Sequence, residues 1–296
     1  MPKFIKMLFL SNPFDKKNRP SRSQGIFPRI KASGAKIAEH LRILCTRTPK
    51  KLPLAQVQAK IIALEAEKMT GEQGERYAPR KRYVQNILIP QLVDLGISAS
   101  ILNGIVPKDI HQFEGEFCFR GKKFTWGRDR QGILADPYQV CLAPGHMMIW
   151  EECIKTEKPT LVLEDDAFLE SKNQNLIART ISEFQSLPPS LSQASILYLQ
   201  STCPWRPGKC LKSYPPSSLL KVDRRFFGIS EEWKDVSGTA AYFINPQTAV
   251  ILWKYFSRSP LWNIDGMFDD LKTKGIIKIL VPKKYKNNFK LHPELS

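Results

Sequence analysis

The chain has 296 residues, of which 42% are hydrophobic and 25% charged, so a wholly disordered protein is excluded and one large domain or two small ones fit. The formal net charge is +17, and residues 1–90 hold 19 basic but 6 acidic side chains. A chain that is basic at one end usually meets an anionic partner there, either nucleic acid or a membrane surface.

The apolar start of the chain predicts a buried strand. Met1 to Leu10 is interrupted by Lys3 and Lys6 and lacks a small-residue cleavage site, so it does not match a signal peptide. The first third of the chain predicts, in order, a strand at 4–10, helices near 28–45, 54–70 and 80–95, and a strand at 97–102. Gly96 ends the third helix, as glycine often does.

Strands and helices alternate through the rest of the sequence. The glycine-rich segment 111–135 predicts an irregular surface excursion, and the proline- and aromatic-rich stretch 202–235 predicts a loop. The predicted helices are 138–156, 174–187, 246–257 and 262–271, and the predicted strands are 160–163, 195–200, 240–244 and 276–281. Such alternation is typical of an α/β fold in which helices cover a central sheet.

The cysteines and the hydropathy pattern indicate in which cellular compartment the protein is expected. None of the six cysteines forms a C-x-x-C pair, which disfavours a zinc cluster and a disulfide framework and predicts reduced, mostly buried thiols. No run approaches the roughly 20 consecutive apolar residues that a transmembrane helix needs. We therefore expect a cytoplasmic protein without a transmembrane segment.

Three adjacent carboxylates, Glu164-Asp165-Asp166, come directly after the apolar run Thr160–Leu163. Adjacent acids repel one another, and a buried acid is protonated rather than charged unless a cation compensates it. Mg²⁺ or Mn²⁺ meets this need, because both ions take carboxylate oxygens and leave positions for substrate phosphates. Ligands of open α/β sheets also gather at the carboxyl ends of strands. The alternative is an exposed acidic turn, but the apolar residues on both sides favour a functional site.

The segment that runs from His146-Met-Met-Ile-Trp150 to Leu161-Val-Leu-Glu-Asp-Asp166 resembles glycosyltransferase family 25, which includes lipooligosaccharide and collagen galactosyltransferases. Three more segments are similar to the family, in the same order: Arg80 to Ile97 with Asn103-Gly104, Gly238 to Pro246 with Ala249, and Ile264 to Phe268. The resemblance covers most of residues 80–270. It implies a GT-A-like, Rossmann-type α/β domain that binds a nucleotide-sugar.

The chain departs from the family pattern in two places. Gly145 stands where the family has a serine before the histidine, so that hydroxyl is absent. Residues 13–76 separate the predicted first strand from the arginine-bearing helix, which follows almost directly in the family. We therefore predict a transferase domain formed by 1–12 and 77–296, with 13–76 as a mainly helical, basic insertion that binds the acceptor.

The resemblance implies a metal-dependent enzyme that moves a hexosyl or pentosyl group from a nucleotide-sugar, a UDP-sugar first of all, to a hydroxyl. Asp166 would bind the Mn²⁺ or Mg²⁺ that bridges the donor's diphosphate, with His292 as a further ligand or merely a solvated residue. Glu164 would act catalytically, at the ribose or at the metal. The predicted donor-binding residues are Ser11, Asn12, Arg80, Arg82, His146, Glu164 and Asp165. Alternatively, the two arginines are solvated helix residues and His146 is structural.

The resemblance also implies inversion at the anomeric carbon. Inversion by direct displacement requires a carboxylate base within hydrogen-bond reach of the acceptor hydroxyl. We predict that Asp265 is this base, with Asp235 and Asp269 as rivals. The alternative role of Asp265 is to cap the helix that follows, a position that aspartate favours.

The charge of residues 1–90 exceeds what a neutral sugar acceptor requires. Duplex DNA is a dense anion, so we predict a hydroxymethylated base of phage-type DNA as the acceptor, flipped from the stack, with Lys50, Lys51 and Lys81 at the phosphates. The host would be a phage-infected cell. The alternative acceptor is bacterial lipopolysaccharide or lipooligosaccharide, whose anionic groups would meet the basic face.

Two further hypotheses belong to other functional classes. The first is a nucleic-acid-binding protein on an inactive transferase fold, which the intact Glu164 and Asp166 disfavour. The second is a two-metal nuclease, which needs more carboxylates in a matching arrangement and which the transferase-like segments downstream disfavour.

Overall fold

The computed structural model describes residues 54–65, 68, 72–109, 115–119, 121–129, 131–170, 173–199, 227–229, 239–282 and 290–291. All of these belong to the unit Arg47–Ser296. Several predicted features lie outside the described residues: the strand at 4–10, the helix at 28–45, most of the loop at 202–235, and Ser11, Asn12, Lys50, Lys51, Asp235 and His292.

The described residues form strands β1 (Gln58–Ala63), β2 (Ser98–Asn103), β3 (Glu116–Phe119), β4 (Lys122–Thr125), β5 (Thr160–Glu164), β6 (Ala167–Phe168), β7 (Ser195–Tyr198), β8 (Phe227–Ile229), β9 (Ala241–Ile244), β10 (Lys278–Pro282) and β11 (Lys290–Leu291). Seven of them make one sheet in the order β2-β1-β5-β9-β7-β10-β8. Five run in one direction, whereas β9 and β8 run the opposite way. The mixed α/β class with a mostly parallel sheet is therefore confirmed.

The helices of the described residues are α1 (Glu72–Tyr83), α2 (Ile89–Asp94), α3 (Pro137–Thr156), α4 (Gln174–Gln185), α5 (Pro189–Ser192), α6 (Pro246–Phe256) and α7 (Ile264–Thr273). A π-helical turn, Val84–Leu88, joins α1 to α2. Gly96, at a φ of +76°, ends this helical stretch as the sequence predicts. None of the described helices is both long enough and apolar enough to cross a membrane.

Alternating side chains of the sheet pack into two apolar layers. Leu161 and Leu163 of β5 lie in the layer that contains α1, α2, α4 and α5, whereas Val162 between them packs with α3, α6 and α7. Because successive side chains of a strand point to opposite faces, both faces of β5 are buried. The described fold is thus a three-layer α/β/α sandwich with the central strands wholly enclosed.

The helix predicted over 54–70 is wrong, because Gln58–Ala63 forms strand β1 between β2 and β5. Both faces of this strand are buried, although Gln58 and Lys60 interrupt its apolar residues. The residues on either side, Leu54-Ala55 and Leu64 to Lys68, favour a helix and extend a helical pattern across the strand in the sequence. The described end of the predicted insertion 13–76 therefore supplies a central strand. The arginine-bearing helix α1 follows β1 after a short connection, and the predicted strand at 4–10 lies outside the described residues.

The segment 111–135 is less irregular than predicted. Strands β3 and β4 pair as an antiparallel hairpin, with Phe117 and Phe124 in the apolar layer below α3. Trp126 extends this contact, and its indole N–H donates a hydrogen bond to the carbonyl of Ala135 at 3.0 Å. The hairpin therefore covers one end of the core.

Helix α3 carries the histidine of the recognised segment into the core. Asp136 caps the helix by accepting a hydrogen bond from the Tyr138 amide, Pro137 takes the first position, and Glu157 ends it at a φ of 54°. Ten of its residues are buried, and they include His146 and Trp150. Their spacing of four places both side chains on one face of the helix.

A buried ion pair joins α1 to the loop after β5. Arg80 Nη1 lies 3.0 Å from Asp165 Oδ1 and 3.6 Å from Asp166 Oδ2, and the Arg80 guanidinium stacks 4.7 Å above the Tyr77 ring. Asp165 also accepts a hydrogen bond from the amide of Leu64, at the end of β1, at 3.2 Å. One carboxylate thus joins the ends of two strands to a helix.

We expect Arg80→Met to destabilise the fold by about 3–5 kcal/mol, because it leaves the buried Asp165 charge without its partner. The measurement is the free energy of unfolding in urea. Arg82→Met, an exposed position on the same helix, is the matched control and should change stability by less than about 0.5 kcal/mol.

Adding Asp165→Asn to Arg80→Met should recover part of the loss, because the stranded charge is then gone. Equal, small effects of Arg80→Met and Arg82→Met would contradict the role of the ion pair.

Candidate functional site

The acidic triple lies at the edge of the sheet where the parallel strands end. Glu65 follows β1, and Asn103 is the last residue of β2. The Asn103 amide donates a 2.8 Å hydrogen bond to the Glu65 carboxylate at this edge. Strand β9 runs the opposite way, so the residues that precede it, Thr239 and Ala240, reach the same edge, and the Glu164 amide donates to the Ala240 carbonyl at 2.9 Å. Four strands therefore bring polar groups to one place.

The cation that compensates the triple is, within the described residues, Arg80. Burial raises the pKa of the Asp165 carboxyl, and the neighbouring guanidinium opposes that rise. Because Arg80 and the Leu64 amide engage both Asp165 oxygens, these contacts make Asp165 an anchor of the loop rather than the predicted donor contact. Arg80 is likewise buried against carboxylates, instead of being open to the donor phosphates that the sequence assigned to it.

Glu164 is the member of the triple that faces the core of the site. Its Oε1 accepts a hydrogen bond from the Thr239 hydroxyl and lies 3.4 Å from His146 Nε2. Burial raises the pKa of Glu164 to about 7, and the Thr239 hydrogen bond opposes the rise. The Glu164 side chain remains 17% exposed, so one end of it can meet a ligand.

His146 is completely buried beneath Glu164. Its Nδ1 lies 2.7 Å from the Tyr242 hydroxyl, which also accepts a hydrogen bond from Trp150 Nε1 at 2.9 Å. Burial lowers the pKa of His146 to about 3, and the charge of Asp265 opposes the fall, so the ring is neutral. These contacts favour the structural role for His146. Its side chain has no exposed surface through which it could contact the donor directly, as the sequence analysis predicted.

Asp265 lies close to this buried group, at the start of α7. The cap of that helix is Asn263, whose side chain accepts from the amides of Asp265 at 2.8 Å and Gly266 at 3.2 Å. The alternative capping role of Asp265 is therefore wrong. The rival base Asp269 forms an ion pair with Lys272 at 2.6 Å.

The described residues contain no group of three or more His, Cys, Asp or Glu side chains arranged to hold a metal ion. Asp166 Oδ2 lies 3.6 Å from Arg80 Nη1, farther than the 3.0 Å between Arg80 Nη1 and Asp165 Oδ1, and the Asp166 side chain is 16% exposed. Mg²⁺ commonly binds one or two carboxylates together with substrate phosphates. Asp166 therefore fits such an ion when a diphosphate supplies further ligands.

Sequence reasoning missed three residues of the site: Trp150, Thr239 and Tyr242 had no assigned role. The spacing of His146 and Trp150 on one helix face was a signal for a shared polar contact. Thr239 gave no such signal, because its approach to Glu164 depends on the reversed direction of β9. Lys81 and Arg82 lie beside Arg80 on α1, with Arg82 exposed.

The Glu164 carboxyl should make stability depend on pH. Its ordinary pKa is 4.5 and its pKa in the folded chain is about 7, so the stabilising effect of its proton is complete below 4.5 and is lost as the pH rises through 7. Because glutamine cannot lose a proton, Glu164→Gln should exceed the natural chain in stability by roughly 1–3 kcal/mol above that range.

The test is urea unfolding with a chelator present, at about pH 5 and about pH 8. Asp94→Asn, at an exposed helix position, is the control. A stability difference between Glu164→Gln and the natural chain that is the same at both pH values would contradict the shift.

Comparison with known families agrees with this geometry. The model of glycosyltransferase family 25, described as an LPS biosynthesis protein family, matches residues 75–268. No individual curated protein matches the sequence. The family match includes Arg80, His146, the acidic triple, Tyr242 and Asp265, and it spans 194 of the 296 residues. The chain therefore belongs to glycosyltransferase family 25.

Proposed function

We propose that this glycosyltransferase carries out a metal-dependent, inverting transfer of a sugar from a nucleotide-sugar to a hydroxyl of a lipopolysaccharide-type acceptor. The observation that supports the proposal is the family match over residues 75–268, which includes Glu164 at the end of β5, Asp166 directly after it, and Asp265, whose charge acts on the buried His146 beside Glu164. Membership of the family supports the transfer reaction itself, and the finer features rest on the residues below.

The donor side of the site is built on the end of β5. Asp166 would hold Mg²⁺ or Mn²⁺ together with the donor's diphosphate, and the bound ion would neutralise charge on the leaving nucleoside diphosphate. Glu164, fixed through Oε1 by Thr239, offers its other oxygen to a hydroxyl of the donor. Arg80 keeps the loop that carries both residues in place.

On the acceptor side, we assign the general base to Asp265. Its carboxylate takes the proton of the acceptor hydroxyl as the acceptor oxygen bonds to the anomeric carbon and the bond to the diphosphate breaks. Attack from the face opposite the diphosphate inverts the anomeric centre. The helix cap is supplied by Asn263, so capping is not the role of the Asp265 side chain.

The acceptor class follows from charge and from the family description. Residues 1–53 hold 13 basic and 2 acidic side chains, which is most of the excess positive charge of the chain. Lipopolysaccharide core phosphates and DNA phosphates both suit such a segment. The family description names lipopolysaccharide biosynthesis. We therefore place lipopolysaccharide first and keep a hydroxymethylated DNA base as the competing acceptor.

The natural chain should consume a UDP-sugar in the presence of Mn²⁺ and add its sugar to a lipopolysaccharide core oligosaccharide. Asp166→Asn should abolish the transfer without unfolding the chain, because the substitution removes charge at nearly constant shape. The measurements are release of the nucleoside diphosphate, the mass of the acceptor, and thermal unfolding, with exposed Asp94→Asn as control.

If sugar is transferred to hydroxymethylated duplex DNA and none to the oligosaccharide, the lipopolysaccharide acceptor is contradicted and DNA is the acceptor. Near-normal activity of Asp166→Asn with Mn²⁺ would contradict the metal assignment. Failure to consume any member of a nucleotide-sugar panel would contradict the function.

Asp265→Asn should lower kcat by about 10²–10⁴-fold while the donor KM changes little, because a general base acts in the transition state. Asp269→Asn is the matched variant one turn further along α7, and it should stay close to natural activity. Loss of donor binding in Asp265→Asn with turnover retained would make Asp265 a donor or structural residue. A large loss in Asp269→Asn alone would transfer the role of base to that rival.

A further inference from the structure

Four side chains from three elements form a buried series of polar contacts that ends at Glu164, and hydrogen bonds join the first three. Trp150 Nε1 lies 2.9 Å from the Tyr242 hydroxyl, which lies 2.7 Å from His146 Nδ1, and His146 Nε2 lies 3.4 Å from Glu164 Oε1. The first three side chains have no exposed surface. The rings of His146 and Tyr242 stack at 5.6 Å and 18°, which fixes their relative orientation.

The hydrogen-bonding capacities of these groups set the direction of the series. An indole N–H can only donate, so the Tyr242 oxygen accepts from Trp150. If the Tyr242 hydroxyl proton is donated to His146 Nδ1, a neutral imidazole carries its one proton on Nε2, directed at Glu164. The opposite tautomer would bury the Tyr242 hydroxyl proton without an acceptor and place a nitrogen lone pair against a carboxylate, so it is disfavoured.

The Thr239 hydroxyl donates a hydrogen bond to Glu164 Oε1, and His146 Nε2 lies 3.4 Å from the same oxygen. In the favoured tautomer, the Nε2–H is a second donor beside this oxygen. The Glu164 side chain is 17% exposed, so part of it can accept a hydrogen bond from a ligand hydroxyl.

We propose that His146 and Tyr242 are positioning residues: Tyr242 sets the Nε2–H tautomer of His146, and His146 with Thr239 orients Glu164 to accept a hydrogen bond from a hydroxyl of the donor nucleotide. This inference rests on the proposed function for the identity of the ligand. Neither residue touches the donor; both act through Glu164.

The test compares His146→Gln with His146→Leu. Glutamine keeps an N–H donor close to the position of Nε2, whereas leucine fills a similar volume without one. The dissociation constant of UDP, measured by calorimetry with Mn²⁺ present, should rise about tenfold in His146→Leu and by less than about threefold in His146→Gln. A role in packing alone would lower the fraction of binding-competent protein in both variants and leave the dissociation constant of that fraction unchanged.

Tyr242→Phe removes only the hydroxyl and should weaken UDP binding in the natural background but not in His146→Leu, since the two residues act in series. Tyr83→Phe is the matched control, because it removes another buried tyrosine hydroxyl, one that contacts the Leu169 amide. It should leave the dissociation constant unchanged. Additive losses in Tyr242→Phe/His146→Leu would overturn the proposal.

Nitrogen NMR of histidine-labelled protein supplies a readout that needs no substrate. The His146 signals, assigned by their loss in His146→Gln, should show the Nε2–H tautomer, and Tyr242→Phe should change it. An Nδ1–H tautomer in the natural chain overturns the proposal whatever the activity. If UDP binding follows the pattern above but no sugar is transferred, the positioning role stands and the proposed function fails.

Discussion

Carboxylates are costly to bury, and β5 delivers three of them in succession to an edge of the sheet where the surrounding strands enclose them. The chain compensates each in a different way. Asp165 accepts hydrogen bonds from a guanidinium and a backbone amide, Glu164 accepts one from the Thr239 hydroxyl, and Asp166 keeps partial exposure. Helix α1 supplies Arg80 and the segment before β9 supplies Thr239, so partners from distant parts of the chain meet at the end of β5.

Because each carboxylate has a different partner, the sequence located the site but did not show what each residue contacts. An apolar run ending in three acids marks the carboxyl end of a central strand, and the structure places it there. The sequence alone could not show that Arg80 of α1 would take the place of the expected cation at Asp165, since the two residues lie 85 positions apart. Long-range pairs of this kind are set by topology, whereas local patterns report only the element on which each residue lies.

The same limit explains the error at β1. Strands β5, β7 and β9 are buried as fully as β1, and they were predicted within a few residues because each is a short apolar run. Strand β1 has six residues, and the residues that follow it, Leu64-Glu65-Ala66-Glu67-Lys68, favour a helix, so the sequence extends a helical pattern across the strand. Strand β1 precedes α1 in the chain, in the order that the family resemblance implies for a first strand and its arginine-bearing helix.

The reversed direction of β9 has a consequence for how this enzyme can diverge. In an all-parallel sheet, every loop at the functional edge follows a strand; here the segment that precedes β9 reaches the same edge. Substitutions at Thr239 or Ala240 can therefore alter the surroundings of Glu164 without changing the strand that carries the acidic triple. Such changes act on the donor contact proposed for Glu164, while Arg80 and Asp165 keep the loop after β5 in place. Donor preference can thus change independently of the ion pair that stabilises the site.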